Sequence, residues 1–388
     1  MLALMAAITL TLAGCRVSVD DGSEGSAGLE YQLSENGSWY TVIGLGECKD
    51  TEIVIPGEYK GLPVRAIGDQ AFAACENVTS VVIPESVRSI GVQAFAQSAS
   101  ITSVTISEGV EDIEKGAFSG CTGLTEITVP DRVQIIGDGA FNGCSGLTSI
   151  TLPFVGSGIE RPDDYDDSEL RQTLFGYIFG VQQYDGGVKT EQFSSSNIFY
   201  LPRKLESVTI TGGTVYGLAF DGCNQIKKIT VGDGVKGIEN GAFSKCKSLA
   251  ELDLPYINET ADSTELRQLC ALFNYAYFET SYIVEGTLYD RTCYVPKSLV
   301  SVTVRGGRVG ELAFEGMKML ETVTFGDGVT GIGKNVFEGC NALTQAVFTK
   351  KSWALKEADG MPEIDVSDSA KNVENLKGEY SDRELIRK

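Results

Sequence analysis

The sequence predicts a β-rich α/β solenoid, a right-handed superhelix of stacked coils joined by a parallel sheet. Three observations carry that reading. The phrase Gly-Ala-Phe-x-Gly-Cys-x-Gly-Leu-Thr occurs at Gly116–Thr125 and again, 23 positions on, at Gly139–Thr148. Phenylalanines keep the same step at Phe72, Phe95, Phe118 and Phe141, then at Phe220 and Phe243, then at Phe314 and Phe337. Behind each comes an apolar-x-x-apolar-x-apolar segment, as in Ile101-x-x-Val104-x-Ile106 and Leu124-x-x-Ile127-x-Val129, which ends in strand-like alternation. A fixed step of this size marks a repeat array.

One coil cannot bury its own apolar side, so the coils must stack. The inward ladder is then Ile, Ala, Phe, Cys, Leu and Ile or Val from each turn, with each buried Phe contributing roughly 1.5–3 kcal/mol by area. Pro84, Pro130, Pro153 and Pro255 close several strands where a missing N–H costs least. The outward side carries Thr102, Ser103, Thr105, Thr125, Glu126, Thr128, Thr148, Ser149 and Thr151, and further along Lys227, Lys228, Thr230, Glu251 and Asp253.

The pattern L-x-x-I-x-L/I-P-x-x-V-x-x-I-G-x-x-A-F-x-x-C resembles the bacterial leucine-rich repeat of the BspA type over about Leu29 to Phe348. Departures are few: Ser98 and Met317 stand at the Cys position, Val336 at the Ala position, and Glu114 and Glu239 at the Gly position. The resemblance implies a surface protein of a host-associated bacterium. Its implied partner is a host extracellular-matrix protein or another bacterium's surface protein.

Taken in order, residues 1–14 (MLALMAAITLTLAG) form an apolar run too short to span a bilayer as a mature helix. Leu12-Ala13-Gly14-Cys15 resembles a lipobox, which implies cleavage before Cys15 and a lipid on its sulfur; the basic residues that usually open such a leader are missing. Residues 15–28 read as a tether. Residues 29–56 read as an N-terminal hairpin cap turning at Asn36-Gly37, followed by a first strand at Ile53–Ile55. Regular coils occupy 57–153, 203–255 and 297–348.

Between them lie two related insertions, 154–202 and 256–296. Glu169-Leu170-Arg171-Gln172 recurs as Glu265-Leu266-Arg267-Gln268, and Leu174-Phe175-Gly176-Tyr177 approximately as Leu272-Phe273-Asn274-Tyr275, within a duplicated block. The spacing of Leu170, Leu174 and Ile178, and of Leu266, Leu269 and Phe273, predicts a short amphipathic helix in each. Their aromatic residues read as core packing, or as a protruding recognition surface. Residues 349–388 read as a C-terminal cap, with a helix within Val366–Tyr380 and a frayed end at Gly378–Lys388.

The chemistry is sparse. No histidine is present, which excludes histidine bases, triads and metal ligands. A net charge of −21 disfavours nucleic acid and anionic membrane surfaces as partners. Six of the ten cysteines, Cys75, Cys121, Cys144, Cys223, Cys246 and Cys340, share one repeat position. Stacked side chains point the same way, so this reads as a packing ladder whose thiols donate to turn carbonyls, consistent with Ser98 in the same place. Cys270 and Cys293 lie in the second insertion and could pair with each other. C-x-x-C zinc spacing and G-x-S-x-G are absent, and Asp163, Asp164, Asp166 and Asp167, which lack EF-hand spacing, read as a solvated charge run capping a helix and not as a calcium loop.

The expected function is therefore non-enzymatic: a lipid-anchored, monomeric surface protein that binds another protein and uses no cofactor or metal. The candidate binding residues are Thr102, Thr105, Glu126, Thr128, Ser149, Thr151, Lys228 and Thr230. The alternatives are a carbohydrate- or peptidoglycan-associated protein or enzyme working through Asp and Glu, and a structural spacer.

Overall fold

The computed structural model describes residues 25–158, 167–257, 268–273, 281–286, 291–356 and 362–388. The leader, Cys15 and most of the tether lie outside these residues, as do Asp163, Asp164 and Asp166.

Each coil contributes one face strand, and successive strands pair in parallel with identical repeat positions opposite. Glu52–Val54, Ser80–Ile83 and Ser103–Ile106 form one run. A second run starts at Glu126–Thr128 and continues through Ser149–Leu152, Ser207–Ile210, Lys228–Val231, Glu251–Leu254, Ser301–Val309, Thr322–Ile332 and Gln345–Phe348. The sheet thus has a seam between its third and fourth strands. The inner residues beside it, Val104 and Ile106, are each 8% exposed, against 1% and 0% for Val81 and Ile83 one coil earlier.

A second, narrower parallel sheet uses the Ile-Gly positions: Tyr40–Gly44, Leu62–Ile67, Ser89–Ile90, Asp112–Ile113 and Ile135–Ile136. Between the sheets lies the rung. The N–H groups of Phe72, Phe95 and Phe118 donate to Ala94, Ala117 and Ala140 O one coil on, at 2.7, 2.7 and 2.8 Å. Their rings stack 5.2–5.6 Å apart with planes within 5° through Phe141. The backbone ahead of Ala-Phe turns left-handed, which explains Gly116 and Gly139, both at φ +64°.

The thiols complete the rung. Cys121, Cys144, Cys246 and Cys340 Sγ donate to Phe95, Phe118, Phe220 and Phe314 O at 3.0–3.2 Å, and Ser98 Oγ donates to Phe72 O at 2.6 Å. Cys223 and Met317 are fully buried at the same position. Cys75 differs: it opens the ladder, finds no carbonyl of an earlier rung, and is half-buried with only a long 3.9 Å contact to Ala73 O.

The segments 154–202 and 256–296 are integral to two enlarged coils. Ile150 pairs in register with Val208 and Leu252 with Val302, so 58 and 50 positions replace the usual 23. Inside the first, a 3-10 turn at Phe175–Phe179 takes the rung. Gly139 and Phe141 N–H donate to Tyr177 and Ile178 O, and Phe175 N–H donates to Ala219 O. In the second, Leu269–Leu272 does the same: Gly241 and Phe243 N–H donate to Ala271 and Leu272 O, and Leu269 N–H donates to Ala313 O.

Each rung is followed by an antiparallel hairpin, Gly187–Glu191 with Ile198–Pro202 and Ser281–Gly286 with Arg291–Pro296. The helical reading holds only over Asp167–Gln172. Leu174 is extended at φ −87°, ψ 143°, because the chain must re-enter the ladder there. These hydrogen bonds match Leu174–Phe179 to Gln268–Phe273, four positions away from the sequence match to Leu272-Phe273. Phe175, Phe179 and Phe273 are fully buried rungs and protrude nowhere, while Tyr177 is half-buried. Residues 258–267 and 274–280, with Leu266, Tyr275, Tyr277 and Phe278, lie outside the described residues.

The first enlarged coil is closed by Gln192, fully buried, whose Oε1 accepts from Gly176 N–H at 2.6 Å while its Nε2 donates to Ala219 O at 3.0 Å. A Cβ on Gly176 would stand 2.4 Å from the Phe199 ring. Gly176→Ala is therefore expected to lose about 1–3 kcal/mol in urea melts. In a Phe199→Ala background the added loss should shrink; equal losses in both backgrounds would show that the ring is not the obstacle.

Both ends are covered. Glu30–Leu33 and Tyr40–Gly44 form the N-terminal hairpin, whose Tyr31 ring stacks on Tyr59 at 3.9 Å. Asn36-Gly37 sits in a six-residue connection, since Leu33 pairs with Tyr40. At the other end the helix Ser369–Lys377 is capped by Asp368 Oδ1, which accepts from Ala370 and Lys371 N–H. Gly378–Lys388 is not frayed: Leu385–Arg387 pairs with Trp353–Leu355 and with Gly331-Ile332, and Trp353 is 1% exposed.

Candidate binding face

The outward residues form three rows, and the structure assigns them different work. The row that opens the strands is used internally: Thr102 Oγ1 donates to Thr79 O at 3.1 Å, Thr148 to Thr125 O at 3.0 Å and Thr344 to Glu321 O at 3.3 Å. Thr102 therefore stitches coils with its hydroxyl proton, while the residue itself stays exposed.

The middle row runs Ser80, Ser103, Glu126, Ser149, Ser207, Lys228, Glu251, Ser301 and Thr322. Lys228 Nζ pairs with Glu251 at 3.0 Å, and Lys227 with Glu206 at 2.7 Å in the opening row. All four side chains are about half exposed, so each pair adds little stability. Lys228 thus stands on the outward face ion-paired with Glu251.

The third row is almost uniform. Thr128, Thr151, Thr209, Thr230, Asp253, Thr303 and Thr324 lie opposite one another in unbroken register, and Thr105 continues the row across the seam. Thr105 and Thr128 are exposed, and Thr151, Thr209 and Thr230 are partly so. Strand spacing places the hydroxyls roughly 4.8 Å apart. The break is Asp253, held by Arg305. Thr209, Thr303 and Thr324 escape a search at 23 positions because the enlarged coils displace them, although Val-Thr-Ile, Val-Thr-Val and Val-Thr-Phe announce each strand.

A cleft of about 540 Å³ lies beside the first enlarged coil, lined among others by Asp131, Gln134, Phe154, Thr211, Tyr216 and Lys236. Thr211 Oγ1 donates to Asp131, the one carboxylate among the described residues of its lining. In the second copy Arg305 stands at Thr211's place and bonds Asp233, Asp253 and Val231 O. Glycoside hydrolysis needs two carboxylates, an acid and a base or nucleophile, and the described lining residues supply one. Among the described residues no three His, Cys, Asp or Glu are grouped to hold a metal, and no helix is long and apolar enough to cross a membrane.

The family model for the BspA type leucine rich repeat region matches six copies over residues 47–161, 193–285 and 287–360. The chain belongs to the BspA-type leucine-rich repeat family. Solved structures similar to this BspA-type chain include a leucine-rich repeat protein of Treponema pallidum, at 17% identity over 81% of this chain and 88% of that one, with a TM-score of 0.32. A leucine-rich repeat protein of Bacteroides capillosus is 31% identical over 33% of this chain and 96% of its own, with a TM-score of 0.30. A leucine rich cell surface protein of Faecalibacterium prausnitzii is 20% identical over 84% and 95%, with a TM-score of 0.27. No curated protein matches the chain.

Proposed function

We propose that this BspA-type chain is a non-enzymatic scaffold that binds a protein partner on the third outward row, and that a lipid on Cys15 holds it at the bacterial surface. The row of unengaged threonine hydroxyls carries the binding half of this reading. Short β-branched side chains lose little entropy when covered, and each brings one donor and two acceptors to a polar partner. The family resemblance supports a host matrix protein or a bacterial surface protein as that partner. Threonine also favours strands on its own account, so the test must separate binding from stability.

Residues 16–388 as bait against host matrix proteins and bacterial surface extracts supply the partner. Thr105→Lys, Thr128→Lys and Thr151→Lys together are expected to weaken its binding at least tenfold, with the urea midpoint nearly unchanged. A partner held equally well by the triple variant overturns the assignment of this face. For the anchor, Cys15→Ala is expected to move folded protein from the membrane fraction to the supernatant; a wild type that never partitions with membranes contradicts it.

A further inference from the structure

The duplicated block allows each enlarged coil to be read against the other. Phe175 N–H donates to Ala219 O and Leu269 N–H to Ala313 O, which places Gly176 and Cys270 at equivalent positions in the two rungs. The hairpins align in the same way. Thr190 pairs with Phe199 in one and Val284 with Cys293 in the other, and both hairpins end on their proline, Pro202 and Pro296. They also lie against equivalent glycines of the next coil: a Cβ on Gly222 would meet Thr190, and one on Gly316 would meet Val284.

In the first copy the contact between rung and hairpin is a glycine against a ring, Gly176 on Phe199. In the second the same two positions hold two thiols, Cys270 on the rung and Cys293 on the hairpin, 2% and 4% exposed. The ladder thiols behave differently, since Cys121, Cys144, Cys246 and Cys340 each donate to a rung carbonyl. Both Cys270 and Cys293 are reduced in this structure.

We propose that Cys270 and Cys293 are a disulfide site that fastens the second hairpin to its rung, closed by a low-molecular-weight or protein disulfide as oxidant. One cysteine thiolate attacks the oxidant's S–S bond and expels one thiolate. The other cysteine then attacks the protein sulfur of the mixed disulfide and expels the second. Two protein thiols lose two electrons and two protons, and the oxidant becomes two thiols. Burial makes the folded pair unreactive, so closure belongs to folding, when both sulfurs are accessible and the native contact selects them from the rest.

The test is to refold the full chain from guanidinium in a reduced and oxidised glutathione buffer, block free thiols by alkylation, and map cross-linked peptides by mass spectrometry. The expected result is one intramolecular link, Cys270–Cys293, with the ladder cysteines alkylated, and a thermal midpoint that falls when a reductant is added. The double variant Cys270→Gly and Cys293→Phe, which installs the first copy's pair, should fold and show no reductant-dependent shift. Recovery of folded protein with both thiols alkylated, or a dominant link between other cysteines, overturns the proposal. A reductant-dependent shift that persists in the double variant does so too.

Discussion

Phe118→Ala is expected to destabilise the protein by about 3–5 kcal/mol. The ring is fully buried between Phe95 at 5.2 Å and Phe141 at 5.6 Å, with planes 2° and 3° apart. Its own N–H and the carbonyl of Phe118 are held by neighbouring coils, through Ala140 O and Cys144 Sγ. The walls of the cavity are thus fixed from both sides and cannot collapse inward. Equilibrium urea unfolding measures the loss. A cost below about 1.5 kcal/mol, the range of volume-conserving core changes, would show that the rung is loosely packed.

The second large effect is alkaline. Burial pushes the Cys121 and Cys340 thiols up from 9.0 to about 12, and it raises Cys144, Cys223 and Cys246 in the same direction. A raised thiol keeps its proton in the folded state after the unfolded chain has lost it. The stabilisation is therefore complete below about pH 9 and is lost as pH rises toward 12. Each such thiol removes about 1.4 kcal/mol per pH unit in that window, so five together remove on the order of 7. Stability of the usual 5–15 kcal/mol is then exhausted within about one to two units above pH 9. Circular dichroism against pH should show cooperative unfolding in that range. The double variant Cys121→Ser and Cys144→Ser, copying Ser98, should shift the midpoint upward. Stability that stays flat to pH 12 contradicts the buried ladder.

The regular coils were readable because each rung repeats the same needs: a left-handed turn, a small residue, a ring, and a thiol or hydroxyl aimed at the previous carbonyl. Ser98 was the informative exception, since a residue that replaces cysteine and keeps a donor names the interaction. The enlarged coils hid themselves. Once 58 or 50 positions separate register partners, Phe175 and Leu269 read as parts of a short amphipathic helix, although they hold the same hydrogen bonds as Phe95. The second sheet was equally silent, because pairs such as Ser89–Ile90 are too short to alternate. The candidate face was half legible. Its threonines stood out, but sequence could not separate Thr102, which bonds to backbone, from Thr105, which does not.

The central claim is that the ladder runs unbroken through both enlarged coils, and native-state hydrogen exchange tests it most directly. The amide protons of Phe141, Phe175, Phe243 and Leu269 are donated across the junctions between regular and enlarged coils. They should exchange as slowly as those of Phe95 and Phe118 in the regular array. Exchange at Phe141 and Phe243 as fast as in exposed turns, with Phe95 and Phe118 still protected, would mean that the array stops at each enlarged coil and that the chain is three separate stacks.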